Sequence, residues 1–158
     1  MKYLTFVAGI IGASTAFAET PELTIYTYDS FVSDWGPGPV IEAEFEKTCG
    51  CDLKLVGAGD GAALLARIRL EGARSDADIV LGLDTNLTQA ALDTGLFVPH
   101  SVSADYSLPI PWQDDHFVPY DWGYFAFVHN ADLTPPTSFS ALADSDLKIV
   151  IQDPRSST

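Results

Sequence analysis

The chain has 158 residues, with 22 acidic against 8 basic side chains and a formal net charge of −14 at pH 7. Such a surface repels nucleic acid and, by long-range steering, favours cationic partners. Composition alone goes no further than an acidic, soluble protein.

The chain opens on a targeting pattern. Lys2 supplies a short positive stretch, Leu4 to Ala13 is an apolar run, and Ala16-Phe17-Ala18 is an A-x-A cleavage signal. Residues 1–18 therefore read as a secretory signal peptide, too short and wrongly flanked to span a membrane. No later stretch reaches the length needed to cross a bilayer. The mature product is expected to be soluble and extracytoplasmic. Cleavage after Ala18 removes Lys2 and no acidic residue, which leaves 7 basic against 22 acidic side chains and a net charge of −15. About 140 mature residues fit one small domain or part of a larger one.

Leu23 to Tyr28 is short and β-rich, a first strand. The turn-rich Trp35-Gly36-Pro37-Gly38-Pro39 follows, and Val40 to Lys47 reads as a helix with Pro39 near its first turn. Cys49 and Cys51 flank one glycine. An oxidising compartment would allow a bridge between them. Its loop is tight and its entropic benefit small. A metal site is not expected, because no nearby His or second Cys pair closes a tetrahedron.

Asp52 to Val56 is a second strand, Gly57 to Gly61 a tight loop, and Ala62 to Glu71 a helix stopped by Gly72. Ala77 to Leu83 is nearly all apolar and reads as a third strand, buried on both faces. Leu87 to Asp93 is a short helix closed by Gly95. Strand and helix alternate, which predicts a parallel sheet in an α/β domain. Scattered Pro, Ser and Asp break the rhythm over residues 99–115. The aromatic run Phe117 to Val128, interrupted by Pro119 and Gly123, reads as two extended pieces. Ser138 to Ala143 is a brief helix and Leu147 to Ile151 a final strand. Ending at Asp153-Pro154-Arg155-Ser156-Ser157-Thr158, just after a strand, the chain is expected to be an interrupted fold.

Gly57-x-Gly59-x-x-Ala62 matches a dinucleotide fingerprint on paper, with Asp84 at the end of the next strand. The loop follows the second strand rather than the first, and Asp60 would set a carboxylate against the pyrophosphate. A nucleotide is therefore not expected. Asp60 has two compatible roles, capping the following helix or meeting a ligand at the carboxyl end of a strand. Trp35 and Trp122 sit beside Gly and Asp in irregular segments. Flat aromatics with carboxylates suit a planar cation. Ser156-Ser157-Thr158 could cap a helix or grip an oxyanion. His100, His116 and His129 are isolated, and no nucleophile or zinc motif accompanies them.

Thr24-Ile25-Tyr26-Thr27-Tyr28-Asp29-Ser30-Phe31, then Asp34-Trp35-Gly36-Pro37-Gly38-Pro39, resemble the opening of the periplasmic thiamine-binding family. The likeness continues at Cys49-Gly50-Cys51, Leu53 to Val56, Asp60-Gly61, Ala77 to Asp84, Phe117 to Pro119, Gly123 to Val128 and Gln152 to Thr158. This resemblance implies an α/β, two-lobed periplasmic-binding-protein-like (type II) fold, truncated here. Lobe 1 would span 19–116, and 117–158 would form the crossover and start of lobe 2. It also implies capture of thiamine or thiamine phosphates as transported ligand, without a cofactor, by a monomer that serves an ABC permease membrane subunit. Asp60 and Gly61 match one ligand-contacting pair, and Ser157 and Thr158 a second. Tyr28 and Trp35 match aromatic positions near the cleft. Gly57-Ala58-Gly59 departs from the bulkier residues usual before that Asp. The rival expectations are a binding protein for ferric ion, an oxyanion or a polyamine, or a thiamine-degrading enzyme on a related fold.

Overall fold

The computed structural model describes residues 19–153. The expected signal peptide, residues 1–18, and Ser157 and Thr158 lie outside the described residues.

Strand β1, Glu22–Thr27, is central in a three-stranded sheet of order β2-β1-β3. Its Thr, Ile and Tyr residues suit a pleated, half-buried surface. Strand β2, Asp52–Gly57, pairs with it in parallel from Glu22↔Asp52 to Thr27↔Gly57. Strand β3, Ile79–Val80, pairs in parallel on the other side through Ile25↔Ile79 and Tyr26↔Val80. The expected parallel α/β sheet is present.

A four-residue helix, α1 (Asp29–Val32), follows β1 directly, and Phe31 is its buried residue. Helix α2, Gly38–Cys49, starts with Pro39 in its first turn and ends at Gly50 in the left-handed conformation, φ 64°. Pro suits the first turn because its missing N–H has no intrahelical partner there. Gly38 is buried, and a Cβ on it would meet the Phe31 carbonyl oxygen and the Leu55 side chain, so α2 lies close against β2.

Helix α3, Gly61–Glu71, buries Leu64, Leu65 and Ile68. Tyr26, Leu64 and Ile68 form the core cluster, ringed by Val56, Ala58, Ala77, Val80, Leu83, Leu96 and Phe97. Leu55 and Val56 alternate along β2, one towards α2 and the other towards the α3 cluster. Helices thus cover both faces of the sheet. Arg67 of α3 stacks its guanidinium 4.1 Å from the Tyr26 ring centre and donates to Glu71 at 2.7 Å. That bond raises the Arg67 pKa and lowers that of Glu71, to which the Ser75 hydroxyl also donates.

Three expectations need correction. Strand β3 spans two residues and is not buried on both faces, since Ile79 is 44% exposed. Its outer edge has no neighbour among the described strands, and the Asp78 carboxylate receives the Thr24 N–H at 2.8 Å where a longer ladder would continue. The run 117–128 joins no ladder, and its Tyr124, Phe125 and Val128 side chains are exposed. Residues 147–151 form no strand either, and Ile149, Val150 and Ile151 are exposed. Apolar sequence makes a strand only where a neighbour accepts its backbone bonds. The last two helices, α4 (Thr88–Leu92) and α5 (Phe139–Ala143), fall within the predicted segments.

Cys49 and Cys51 are joined by a disulfide across Gly50. A loop this small removes little freedom from the unfolded chain, about 1.5 kcal/mol. Replacing both cysteines by serine should therefore lower the urea-unfolding free energy by about that amount. A loss approaching the ~4–5 kcal/mol of a long-loop disulfide would contradict this.

Candidate functional site

Because all three strands run in parallel, their following loops gather at one edge. β1 delivers Tyr28 and Asp29, β2 delivers Gly57-Ala58-Gly59-Asp60, and β3 delivers Gly82 and Asp84. The chain steps outward from β1 to β2 and then back past β1 to β3. Open α/β sheets bind ligands outside the carboxyl ends of their strands, where the strand order reverses.

The β2 loop is tied to the end of β1 by consecutive hydrogen bonds. Ala58 N–H donates to the Thr27 carbonyl and Asp29 N–H to the Gly59 carbonyl, each at 2.9 Å. Gly59 N–H in turn donates to Asp29 Oδ1 at 2.9 Å. The glycine amide that a dinucleotide phosphate would use is thus already taken by a carboxylate. Gly59 has φ +81°, a left-handed value that favours glycine.

Asp60 follows in extended conformation at the cap position of α3. Its carbonyl accepts the Leu64 N–H at 2.8 Å, but its side chain makes no capping bond and is exposed. Of the two roles expected for Asp60, side-chain capping is absent, and the carboxylate stays available at the sheet edge. Gly61 is the first residue of α3 beside it.

Tyr28 lies half-buried across the glycine after β3. A Cβ added at Gly82, φ +105°, would clash with the Cδ1–Cε1 edge of the Tyr28 ring. Phe31 meets Tyr28 edge-on at 5.6 Å and Tyr120 edge-on at 5.8 Å. Burial pushes the Tyr28 phenol pKa up, and the nearby Asp121 and Tyr120 add to the shift. Tyr28 is therefore a neutral phenol at physiological pH, able to donate or accept. Trp35 is not drawn into this cluster. It is 80% exposed on the turn after α1. Trp122 pairs edge-on with Tyr124 at 5.4 Å. Asp84 closes its own turn by accepting the Asn86 N–H at 2.9 Å.

The sheet edge thus brings together Tyr28, Asp60 and Gly61, and leaves Trp35 apart on the surface. Sequence reasoning missed Asp29, Gly82 and the Tyr120-Asp121 pair as site neighbours. Asp29 and Gly82 had only a positional signal, each lying two residues past a strand, β1 or β3. Tyr120 had none, because its contact with Phe31 crosses about ninety residues.

An open groove of about 630 Å³ lies elsewhere, lined by His100, Ser101, Val102, Gln113, Asp114 and Asp115. It contains none of the predicted ligand residues. His100 Nδ1 receives the Val102 N–H at 3.1 Å and its Nε2 lies 3.1 Å from the Asp114 carbonyl, so the ring serves as a clasp between two backbone segments. Among the described residues, no group of three or more His, Cys, Asp or Glu side chains is placed to hold a metal ion.

No family model matches the chain. Individual proteins do. The Escherichia coli (strain K12) thiamine-binding periplasmic protein is 53% identical over a 143-position alignment that covers 87% of this chain and 44% of that protein. The Salmonella typhimurium protein of the same name is 49% identical over 99% of this chain and 49% of its own length. A solved structure described as a periplasmic thiamin binding protein superposes with a TM-score of 0.82 at 51% identity, over 93% of this chain and 48% of the other. The chain is similar, along nearly all its length, to periplasmic thiamine-binding proteins. It spans about half the length of the relatives it matches. Those relatives are named as binding proteins, not as enzymes.

Gly82→Ala should cost roughly 1–3 kcal/mol of stability, read from the urea midpoint, because the left-handed backbone and the Tyr28 ring both reject a Cβ. A variant as stable as the parent would mean that the Tyr28–Gly82 contact is not maintained.

Proposed function

We propose that the protein captures thiamine, together with its phosphate esters, in the periplasm and hands it to an ABC permease. The observation that carries this reading is an exposed, uncapped Asp60 carboxylate at the carboxyl edge of the sheet. It occurs in a chain 48–53% identical to several proteins named for thiamine binding. Thiamine offers a cationic thiazolium, an aminopyrimidine and a hydroxyethyl tail. A carboxylate can offset the cation or accept from the amino group, and aromatic faces can stack on either ring. The Tyr28 phenol beside Gly82 supplies one aromatic wall.

In this reading residues 19–116 belong to one lobe, and 117–158 cross to a second. Ser157 and Thr158 supply the opposite side of a cleft that closes on the ligand. Trp35 would join the site only as the lobes close. The exposed run 117–128 is where the second lobe would pack. No bond is made or broken. The net charge of −14 at pH 7 suits attraction of a cationic solute.

The test is isothermal titration of the whole mature gene product with thiamine. Binding at micromolar concentration or below is expected, and Asp60→Ala should weaken it by about tenfold or more, as for loss of a hydrogen bond to a charged group. Recovery of unchanged thiamine after incubation is expected too. No heat with thiamine, alongside binding of a ferric chelate or a polyamine, would overturn the proposal. So would cleavage products.

A further inference from the structure

The Asp60 carboxylate can act on a ligand only if the loop that carries it is held, and that loop lacks rigid residues of its own. Gly57, Ala58 and Gly59 precede it, and both glycines admit conformations that other residues resist. The Ala58 N–H bond to the Thr27 carbonyl ties the start of the loop to β1, and one side chain holds it beyond that point. Asp29 receives the Gly59 N–H on Oδ1 at 2.9 Å while its own N–H donates to the Gly59 carbonyl at 2.9 Å. The two bonds clamp the Gly59 residue from both its backbone groups, and Asp60 is the next residue.

The glycines fit this clamp. A Cβ on Gly57 would stand 2.8 Å from Asp29 Oδ1 and 3.1 Å from Val32 Cγ2, so the absence of a side chain at 57 is what lets the carboxylate approach. A Cβ on Gly59 would stand 2.9 Å from the Ala63 Cβ, on a backbone with φ +81°. The three residues therefore form one device. The carboxylate enters from the start of α1, Gly57 makes room for it, Gly59 supplies the left-handed turn against Ala63, and Asp60 leaves in extended geometry.

We infer that Asp29 is a positioning residue for the thiamine site, acting through Gly59 to fix Asp60 at the sheet edge. The inference rests on the proposed thiamine-binding function and names what sets the geometry of that site. Oδ1 acts as a hydrogen-bond acceptor, so an amide oxygen can stand in for it, and the negative charge of Asp29 is not what the ligand reads.

The test is a double-mutant cycle on the whole mature gene product, with thiamine as the titrant and circular dichroism to confirm folding. Asp29→Ala should weaken thiamine binding about tenfold, and Asp29→Asn should restore most of that loss. In an Asp60→Ala background, Asp29→Ala should cause almost no further change, because two residues acting through one contact are not additive. Gly57→Ala, which pushes the carboxylate out from the other side, should weaken binding in the same way. An Asp29→Ala loss of the same size with and without Asp60 would overturn the inference. So would an Asp29→Asn variant as weak as Asp29→Ala, since that would make Asp29 a charge in direct contact with the ligand. Parent protein that binds no thiamine would instead sink the functional reading on which this rests.

Discussion

The parallel pairing of β1 with a strand on either side is the constraint on which everything else depends. A strand hydrogen-bonded on both edges has its backbone groups satisfied only if both neighbours are in place. In this chain the neighbours are β2 and β3, each running in the same direction as β1. Parallel strands need long crossovers, and those crossovers are the helices that cover the two faces. The same arrangement sends Tyr28, Asp29, Asp60 and Gly82 to one edge. The place of the proposed ligand site is then a consequence of topology before any side chain is considered.

Much of this is legible in the sequence, and the reasons differ from place to place. Strand β1 announces itself by Thr-Ile-Tyr-Thr, and α2 by Pro39 at its start and Gly50 just beyond its end. Asp60 is visible as an acidic residue between a strand and a helix. What does not show is anything that depends on a partner far along the chain. Ala77 to Leu83 has the composition of a central strand, yet only Ile79 and Val80 pair, at the edge of the described sheet. Residues 117–128 and 147–151 look equally strand-like and find no strand partner among the described residues. Composition records the tendency of a segment to be extended. It does not record whether another backbone lies about 5 Å away to accept its bonds.

Asp29 illustrates the same limit at the site itself. In sequence it is one more acidic residue in a chain that has 22 of them. Its role lies in two hydrogen bonds to Gly59, thirty residues on. The pair Gly57 and Gly59 was the available hint, because small residues in a loop often mark a close approach by something else. That approach resembles a phosphate-binding loop in sequence spacing, but here a carboxylate takes the Gly59 amide. A motif read by spacing alone would have assigned the amide to an anion from outside.

The central claim is that the ligand sits at the carboxyl edge of this sheet. Hydrogen–deuterium exchange on the whole mature gene product, with and without saturating thiamine, tests it most directly. Slower exchange is predicted at the amides of residues 28–29, 57–61 and 82–84, with the groove at residues 100–102 and 113–115 unchanged. Protection confined to that groove, with the sheet edge unaffected, would contradict the account.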